Sequence, residues 1–152
     1  MTSNDQRFKD LLSRLHAQVL KPLGYRKDGA NFRLITPDGM GRIINFQKSM
    51  WNTAEELSFC INLGVYYEQT PAIENPKFKE YDCLIRARAS GISTNPVHKG
   101  DHWWTVFENR DMDKLYEELK TLLTDDVVPW FEQIPTREGA VTKYGFRLHY
   151  EL

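Results

Sequence analysis

The stretch RIINFQKSMWNTAEELSFCINLGVYY, residues 42–67, decides the fold of this chain. Its second half alternates between two sets of side chains: Leu57, Phe59, Ile61, Leu63, Val65 and Tyr67 on one side, and Ser58, Cys60, Asn62, Gly64 and Tyr66 on the other. Successive side chains of a strand point to opposite faces, so this alternation predicts a β-strand with one buried and one open face. The first half of the stretch predicts a partner strand, joined through a polar loop at residues 51–56.

Further strands are predicted on both sides of this centre. Pro37, Asp38 and Gly39 supply turn chemistry between two apolar runs and therefore predict a β-hairpin. A later run alternates with Arg86 and Arg88 on the same side. The predicted strands are residues 31–35, 42–50, 57–67, 83–91 and 102–107, and residues 146–150 are a candidate short strand.

Two helices with one apolar stripe each are predicted near the ends of the chain. The stripes are Phe8, Leu11, Leu12, Leu15, Val19 and Leu23 in the first helix, and Met112, Leu115, Leu119, Leu122 and Leu123 in the second. Ser3 or Asn4 is the expected N-cap of the first helix, and Asp111 of the second. Pro22 and Gly24 are expected to end the first helix.

A break is expected after the second stripe, at Asp125-Asp126, with Pro129 in the first turn of a short further helix. Strands between helices predict a single α+β domain spanning residues 1–152. We expect an antiparallel meander of about five strands with the N-terminal and C-terminal helices packed on one face.

The composition and motifs of the chain argue against several classes of function, among them nucleic-acid binding and membrane insertion. The formal net charge is -1, so no global field favours nucleic acid or an anionic membrane. The N-terminus does not read as a signal peptide, and no apolar run is long enough to span a bilayer, so we expect a cytoplasmic protein. The two cysteines, Cys60 and Cys83, are expected to be reduced thiols. No nucleotide-binding motif is present and we expect no cofactor.

Several pieces of the chain together carry a family resemblance. They are the helix end LKPLGYRKDG (20–29) and the strands IINFQKS (43–49), FCINLGVYY (59–67) and CLIRARA (83–89). This pattern resembles the bacterial family called domain of unknown function 4304, over about the first two thirds of the chain. The resemblance implies a small α+β fold and no assigned activity.

The predicted open face of the sheet is the candidate binding surface. It carries Arg33, Asn45, Gln47, Ser49, Ser58, Cys60, Asn62, Arg86 and Arg88, with no acidic residue at these positions. Because arginine pairs well with carboxylate or phosphate, this face is predicted to bind an anionic or strongly polar ligand or peptide, with Arg86 and Arg88 as anchors. The alternative is a solvated face whose arginines pair with loop acids such as Asp82 or Glu80.

Trp103 and Trp104 are adjacent in a predicted strand, so one is expected in the core and the other on the open face. The pattern leaves open which one is exposed, and Trp104 joins the candidate ligand-binding residues. His98 and His102 have a spacing that suggests metal ligands, but Pro96 and Gly100 predict a loop there and no third ligand is evident, so we predict no metal site.

Two functional hypotheses follow. The first is a non-catalytic binding module that uses the open face, with Arg86, Arg88, Gln47, Asn62, Asn45 and Trp104 as its candidate residues. Its partner would be an unknown protein or a small anionic or polar ligand, and a homodimer is compatible with it. The second is an enzyme with a polar active site on the same face, using Cys60 or His102. The absence of paired carboxylates favours the first.

Overall fold

An antiparallel sheet of six strands forms the frame of the computed structural model, which describes residues 2–98 and 100–145. The strands are β1 (Arg26–Asp28), β2 (Asn31–Ile35), β3 (Gly41–Lys48), β4 (Glu56–Tyr66), β5 (Ile85–Arg88) and β6 (Trp104–Phe107). The predicted α+β fold is confirmed, and β1 adds a strand that the sequence pattern did not predict. The candidate strand at residues 146–150 lies outside the described residues.

The strand order is β1-β2-β3-β4-β5, and β6 also pairs with β4. The predicted meander therefore holds as far as β5. The last strand departs from it because β4, at 11 residues, is long enough to pair with two strands along one edge. Residues 62–65 of β4 pair with β5, and residues 56–59 pair with β6.

Four α-helices are described: α1 (Asn4–Leu15), α2 (Met112–Leu122), α3 (Val128–Glu132) and α4 (Arg137–Tyr144). Ser3 caps α1, since its side chain accepts a hydrogen bond from the backbone N–H of Gln6. Asp111 caps α2 by accepting from the N–H groups of the first turn. Both expected caps are confirmed, and they satisfy N–H groups that have no partner inside the helix.

The junctions after α1 and α2 each contain one π-helical turn, which is wider than an α-helical turn. After α1, a π-helical turn (His16–Leu20) and a 3₁₀ turn (Lys21–Leu23) lead to Gly24, whose φ of 98° ends the helix as expected. After α2, the turn Leu123–Val127 leads into α3, which holds Pro129 in its first turn. The expected break at Asp125-Asp126 is therefore a wide turn in a path that stays helical.

One face of the sheet is covered by the helices, as predicted. Phe8 of α1 lies with its ring centroid 5.0 Å from that of Phe59 in β4. From Phe59 the aromatic contacts continue to Phe46, at 5.9 Å, and to Trp104, at 6.0 Å. These rings join α1 to β3, β4 and β6 and form the centre of the hydrophobic core.

The other face is only half open. Residues 68–84, which we call the covering loop, fold over the end of this face. A second buried cluster forms under the loop from Ile43, Tyr66, Ala72, Phe78 and Cys83. The prediction of a fully open face is therefore wrong for this half, because the loop supplies its own apolar side chains to cover it.

Arg33 fastens the covering loop to the sheet. It was predicted to face solvent, but it is 6% exposed. Its Nε donates a hydrogen bond to the backbone oxygen of Phe78 at 2.7 Å, and its Nη1 lies 3.0 Å from a carboxylate oxygen of Asp28. The guanidinium thus joins β1, β2 and the loop, and it is not available to a ligand.

Candidate functional site

A row of polar side chains crosses the half of the sheet face that the covering loop leaves uncovered. The register pairs Asn31 with Asn45, Asn45 with Asn62, and Asn62 with Arg88, so these four residues follow one another across β2, β3, β4 and β5. Gln47 lies two residues further along β3, on the same face. We call Asn31, Asn45, Gln47 and Asn62 the amide row.

The amide row is held together by its own hydrogen bonds. Asn45 Nδ2 donates to Asn31 Oδ1 at 2.7 Å. Asn62 Nδ2 donates both to Asn45 Oδ1, at 3.0 Å, and to Gln47 Oε1, at 2.9 Å. Asn62 is buried, whereas Gln47 is exposed. The buried Asn62 therefore holds the side-chain amides of Asn45 and Gln47 in position through its two hydrogen bonds.

The two arginines predicted as anchors differ in how they are engaged. Arg86 forms a bidentate pair with Glu80 of the covering loop, with Nε donating to Oε2 at 2.7 Å and Nη2 donating to Oε1 at 3.0 Å. Arg88 has a looser partner, since its Nη1 lies 3.4 Å from Asp101 Oδ1. Pairing with loop acids, the alternative that the sequence left open, therefore applies to both residues and most strongly to Arg86.

Of the two adjacent tryptophans, Trp104 is buried in the core and Trp103 is only half-buried. Trp104 is 2% exposed and stacks on Phe59 in the core, so its prediction as a ligand-binding residue is corrected. Trp103 is half-buried, and its ring centroid lies 5.5 Å from the Arg88 guanidinium carbon. Its Nε1 donates to Asp101 at 3.2 Å, which places Trp103, Asp101 and Arg88 together at one end of the row.

The candidate residues of the enzyme hypothesis lie on opposite sides of the sheet. Cys60 lies on the face of the amide row, 1% exposed, and burial raises the pKa of its thiol. His102 lies on the helix side, with its ring centroid 4.9 Å from that of Trp104. Among the described residues, no histidine lies beside Cys60 to act as its base, because His16, His98 and His102 all contact the helix side of the sheet.

A second group of chemically active side chains lies on the helix side, beside β6. His98 Nε2 lies 2.6 Å from Glu118 Oε1, and the ring centroid of His102 lies 4.9 Å from that of His98. Burial and the neighbouring His98 lower the pKa of His102. We call His98, His102 and Glu118 the histidine cluster; their ligand atoms all lie within 4.8 Å of one another.

The sequence reasoning missed Glu118, the third member of this cluster. The loop between β5 and β6 carries both histidines, and α2 brings Glu118 to them. A signal was present: Glu118 is three residues after Leu115 and four before Leu122, so it lies at the edge of the buried stripe of α2. An acid at such a position is held close to whatever packs against the helix.

The sequence comparisons give a family and no characterised relative. Among the described residues, no helix combines the length and apolar character that a membrane span requires. Comparison with curated proteins and with solved structures finds no match. The model of one family, described as Domain of unknown function (DUF4304), matches residues 16–133, a range that holds both the amide row and the histidine cluster. The match extends past the first two thirds of the chain and through α2, so the chain belongs to this family of unknown function.

Proposed function

We propose that this protein is a non-catalytic binding module that holds an acidic segment of a partner protein on the amide row, with Arg88 as the anchor for a carboxylate. The observation that carries the proposal is the register: Arg88 continues the row directly beside Asn62. The Arg88 guanidinium at the end of the amide row can bind a carboxylate, and the neighbouring side-chain amides supply donors and acceptors for a peptide backbone.

Arg88 is better suited than Arg86 to receive a carboxylate from outside. Its side chain and that of Asp101 are 39% and 59% exposed, and they are 3.4 Å apart. Arg88 Nη1 is itself buried and has no hydrogen-bond partner among the described residues, so an incoming carboxylate that displaced Asp101 would supply the acceptor that this atom lacks. Arg86 is held by both oxygens of Glu80, and removing it from that pair would leave a largely buried carboxylate unpaired.

The amide row has donors to spare. Its internal hydrogen bonds use the Nδ2 atoms of Asn45 and Asn62. Among the described residues, Asn31 Nδ2 and Gln47 Nε2 have no acceptor; Asn31 lies opposite Asn45 on β2, and Gln47 lies two residues along β3 on the same face. Two amide donors on the same face as an arginine suit the carbonyl groups of a peptide that carries an acidic side chain.

Trp103 adds a flat surface next to the anchor. Its half-buried ring lies beside the Arg88 guanidinium, a geometry that favours cation–π contact and helps to hold the guanidinium in position. Tryptophan and arginine are both enriched among residues that dominate the binding energy of protein interfaces. Their contact at one end of the row supports a protein partner over a solvated surface.

The other candidate, an enzyme that uses the same face, has less support. Cys60 is buried with a raised pKa, and its thiol donates a hydrogen bond to Gln47 Oε1, 3.9 Å from Sγ. His102, the other residue of that hypothesis, is on the helix side of the sheet. We therefore place the binding function on the amide row and treat the histidine cluster separately.

The test is affinity capture from an extract of the native host, with bound proteins identified by mass spectrometry. The baits are the wild-type chain, Arg88→Gln and, as a matched control, Arg26→Gln, an exposed arginine of the edge strand β1. A charge-assisted hydrogen bond contributes about 1.5–3 kcal/mol, so Arg88→Gln should reduce capture of the partner roughly tenfold to 100-fold. Arg26→Gln should retain it, and a capped pentaglutamate peptide should compete.

Equal recovery of the same protein by the wild-type chain and by Arg88→Gln would overturn the proposal, as would competition-resistant binding. A second copy of this chain is a separate outcome, read by light scattering of the purified protein at several concentrations. Self-association that is lost in Arg88→Gln would identify a second copy of this chain, and not another protein, as the occupant of the row, and would contradict the proposal.

A further inference from the structure

The histidine cluster has the composition and spacing of a metal site. His98 and His102 come from the loop between β5 and β6, and Glu118 comes from α2, more than a dozen residues later. Each residue offers one ligand atom, and these atoms lie within 4.8 Å of one another. Two imidazoles and one carboxylate are a donor set of catalytic zinc sites and of non-haem iron(II) sites.

The side chains around the cluster hold its ligand atoms in place. Ser93 Oγ lies 2.8 Å from His98 Nδ1, so Nδ1 can donate a hydrogen bond to it and leave the Nε2 lone pair facing the cluster. Arg110 Nη2 lies 3.5 Å from Glu118 Oε2, whereas the other oxygen, Oε1, faces His98. Metal-ligating histidines and carboxylates are regularly held by such outer hydrogen bonds.

The histidine cluster packs against the Trp104 ring and also borders a groove at the surface. The Trp104 ring packs against both histidines in edge-to-face geometry, with ring centroids 5.2 Å from His98 and 4.9 Å from His102. A groove of about 400 Å³ reaches His98 and Glu118, and its further lining includes Ser93, Glu117 and Asp126. An ion held here would thus have an apolar wall behind it and a solvent-accessible groove for its remaining coordination positions.

We propose that His98 Nε2, His102 and Glu118 Oε1 bind one divalent first-row transition-metal ion, with its remaining coordination positions open to the groove. Bond lengths of about 2.0–2.2 Å set neighbouring ligand atoms about 3.3 Å apart in a tetrahedral site. The contact between His98 and Glu118, at 2.6 Å, would open slightly, and the more distant pairs would close by side-chain rotation.

A buried hydrogen bond between His98 and Glu118 is the other account of this contact, and His102 separates the two. The hydrogen bond needs His98 and Glu118 alone, whereas three-ligand coordination needs His102 as well. His102→Gln therefore removes a ligand and leaves the buried pair intact. Glu118→Gln is a second variant, which keeps an acceptor for His98 but removes the anionic ligand. Glu117→Gln is the matched control, because Glu117 is exposed on the same helix and lines the same groove.

The experiment is isothermal titration of the purified chain with Zn²⁺ alone and, under anaerobic conditions, with Fe²⁺ alone, combined with thermal unfolding at increasing metal concentration. We expect one saturable site in the wild-type chain and in Glu117→Gln, with a midpoint of unfolding that rises with metal concentration. Ser93→Ala should weaken binding by about tenfold to 100-fold, the usual effect of removing an outer partner.

Saturable binding should be lost in His102→Gln and in Glu118→Gln, both checked for folding by circular dichroism. The relative affinities for Zn²⁺ and Fe²⁺ then identify the ion that the site prefers. The proposal is overturned if the wild-type chain shows no saturable site for either ion, or if a folded His102→Gln variant binds the metal as tightly as the wild-type chain does.

Discussion

Gly64 of β4 lies directly beneath the side chain of Cys83, close enough that a Cβ on Gly64 would stand 2.6 Å from Cys83 Sγ and 2.9 Å from Cys83 Cβ. The covering loop can settle on the sheet at this point because β4 has no side chain there. Glycine in a strand often marks such a close approach of another segment. The buried cluster under the loop therefore depends on the absence of a side chain at Gly64 as much as on Phe78 and Tyr66, whose ring centroids lie 4.9 Å apart.

Gly64→Ala should destabilise the protein by about 1–3 kcal/mol, the range found when a methyl group is forced into a packed interior. The measurement is urea unfolding followed by circular dichroism. Gly91→Ala is the control, because a Cβ there would meet nothing within 4 Å and its backbone φ is not positive. A Gly64→Ala variant as stable as Gly91→Ala would show that the loop shifts freely.

The alternation and helical stripes were sufficient to predict β2 to β4, α1 and α2, because these patterns depend on local periodicity. The covering loop was not predictable in the same way. Its docking depends on Phe78 and Cys83 meeting Ile43 across long sequence separations, and no periodicity encodes such a contact. The prediction of a meander was wrong at β6 for a related reason: β4 is long enough for β5 and β6 to pair along the same edge of it.

The candidate site was predicted in part. The shared face of Asn45, Asn62 and Arg88 follows from a side-chain period of two and from the hairpin register. The partners of the arginines required tertiary structure, because Glu80 and Asp101 reach the sheet from irregular segments. Trp103 and Trp104 illustrate the limit of periodicity: bulky residues on both sides of a short strand do not reveal which side is buried.

Arg33→Met should destabilise the covering loop. The substitution removes the hydrogen bond from Nε to the buried oxygen of Phe78, and an unsatisfied buried polar group contributes about 1–3 kcal/mol of destabilisation. Urea unfolding should show the loss in free energy of unfolding, and hydrogen exchange should show faster exchange of the amide of Phe78, which donates to Asn75. Arg26→Gln, on the neighbouring edge strand, should leave both measurements unchanged within about 0.5 kcal/mol. Unchanged exchange in Arg33→Met would mean that the apolar cluster alone holds the loop.

Asp28 should make a pH-dependent contribution to stability. The hydrogen bond from Arg33, and then the one from Lys77, hold the pKa of Asp28 below its usual value of 3.8. A carboxyl whose pKa is lowered on folding stabilises the folded state above the unfolded-state pKa and loses this contribution as the pH falls through the folded-state pKa. Asp28→Asn should therefore be less stable than the wild-type chain at neutral pH, by an amount that shrinks in acid.

The measurement is urea unfolding of both chains at a series of pH values between neutrality and about pH 2. The gap in the free energy of unfolding should be constant above about pH 5 and should close below the pKa of the folded state. Because Asp28 is half exposed, the gap should also narrow in high salt. A gap that widens as the pH falls has the wrong sign for this pair and would contradict the assignment.

Cys60 and Cys83 should be inert as thiols in the folded protein. Each is 1% exposed, and burial raises the pKa of Cys60, so the thiolate that reacts with disulfide reagents is disfavoured at neutral pH. Ellman's reagent should release its chromophore slowly from the native chain and should titrate both thiols rapidly in urea. Gly64→Ala, which disturbs the packing over Cys83, should speed the reaction of one thiol and leave Cys60 protected. Rapid release of one equivalent from the native wild-type chain would instead identify an accessible, ionised cysteine, and it would restore Cys60 as a candidate nucleophile on the face of the amide row.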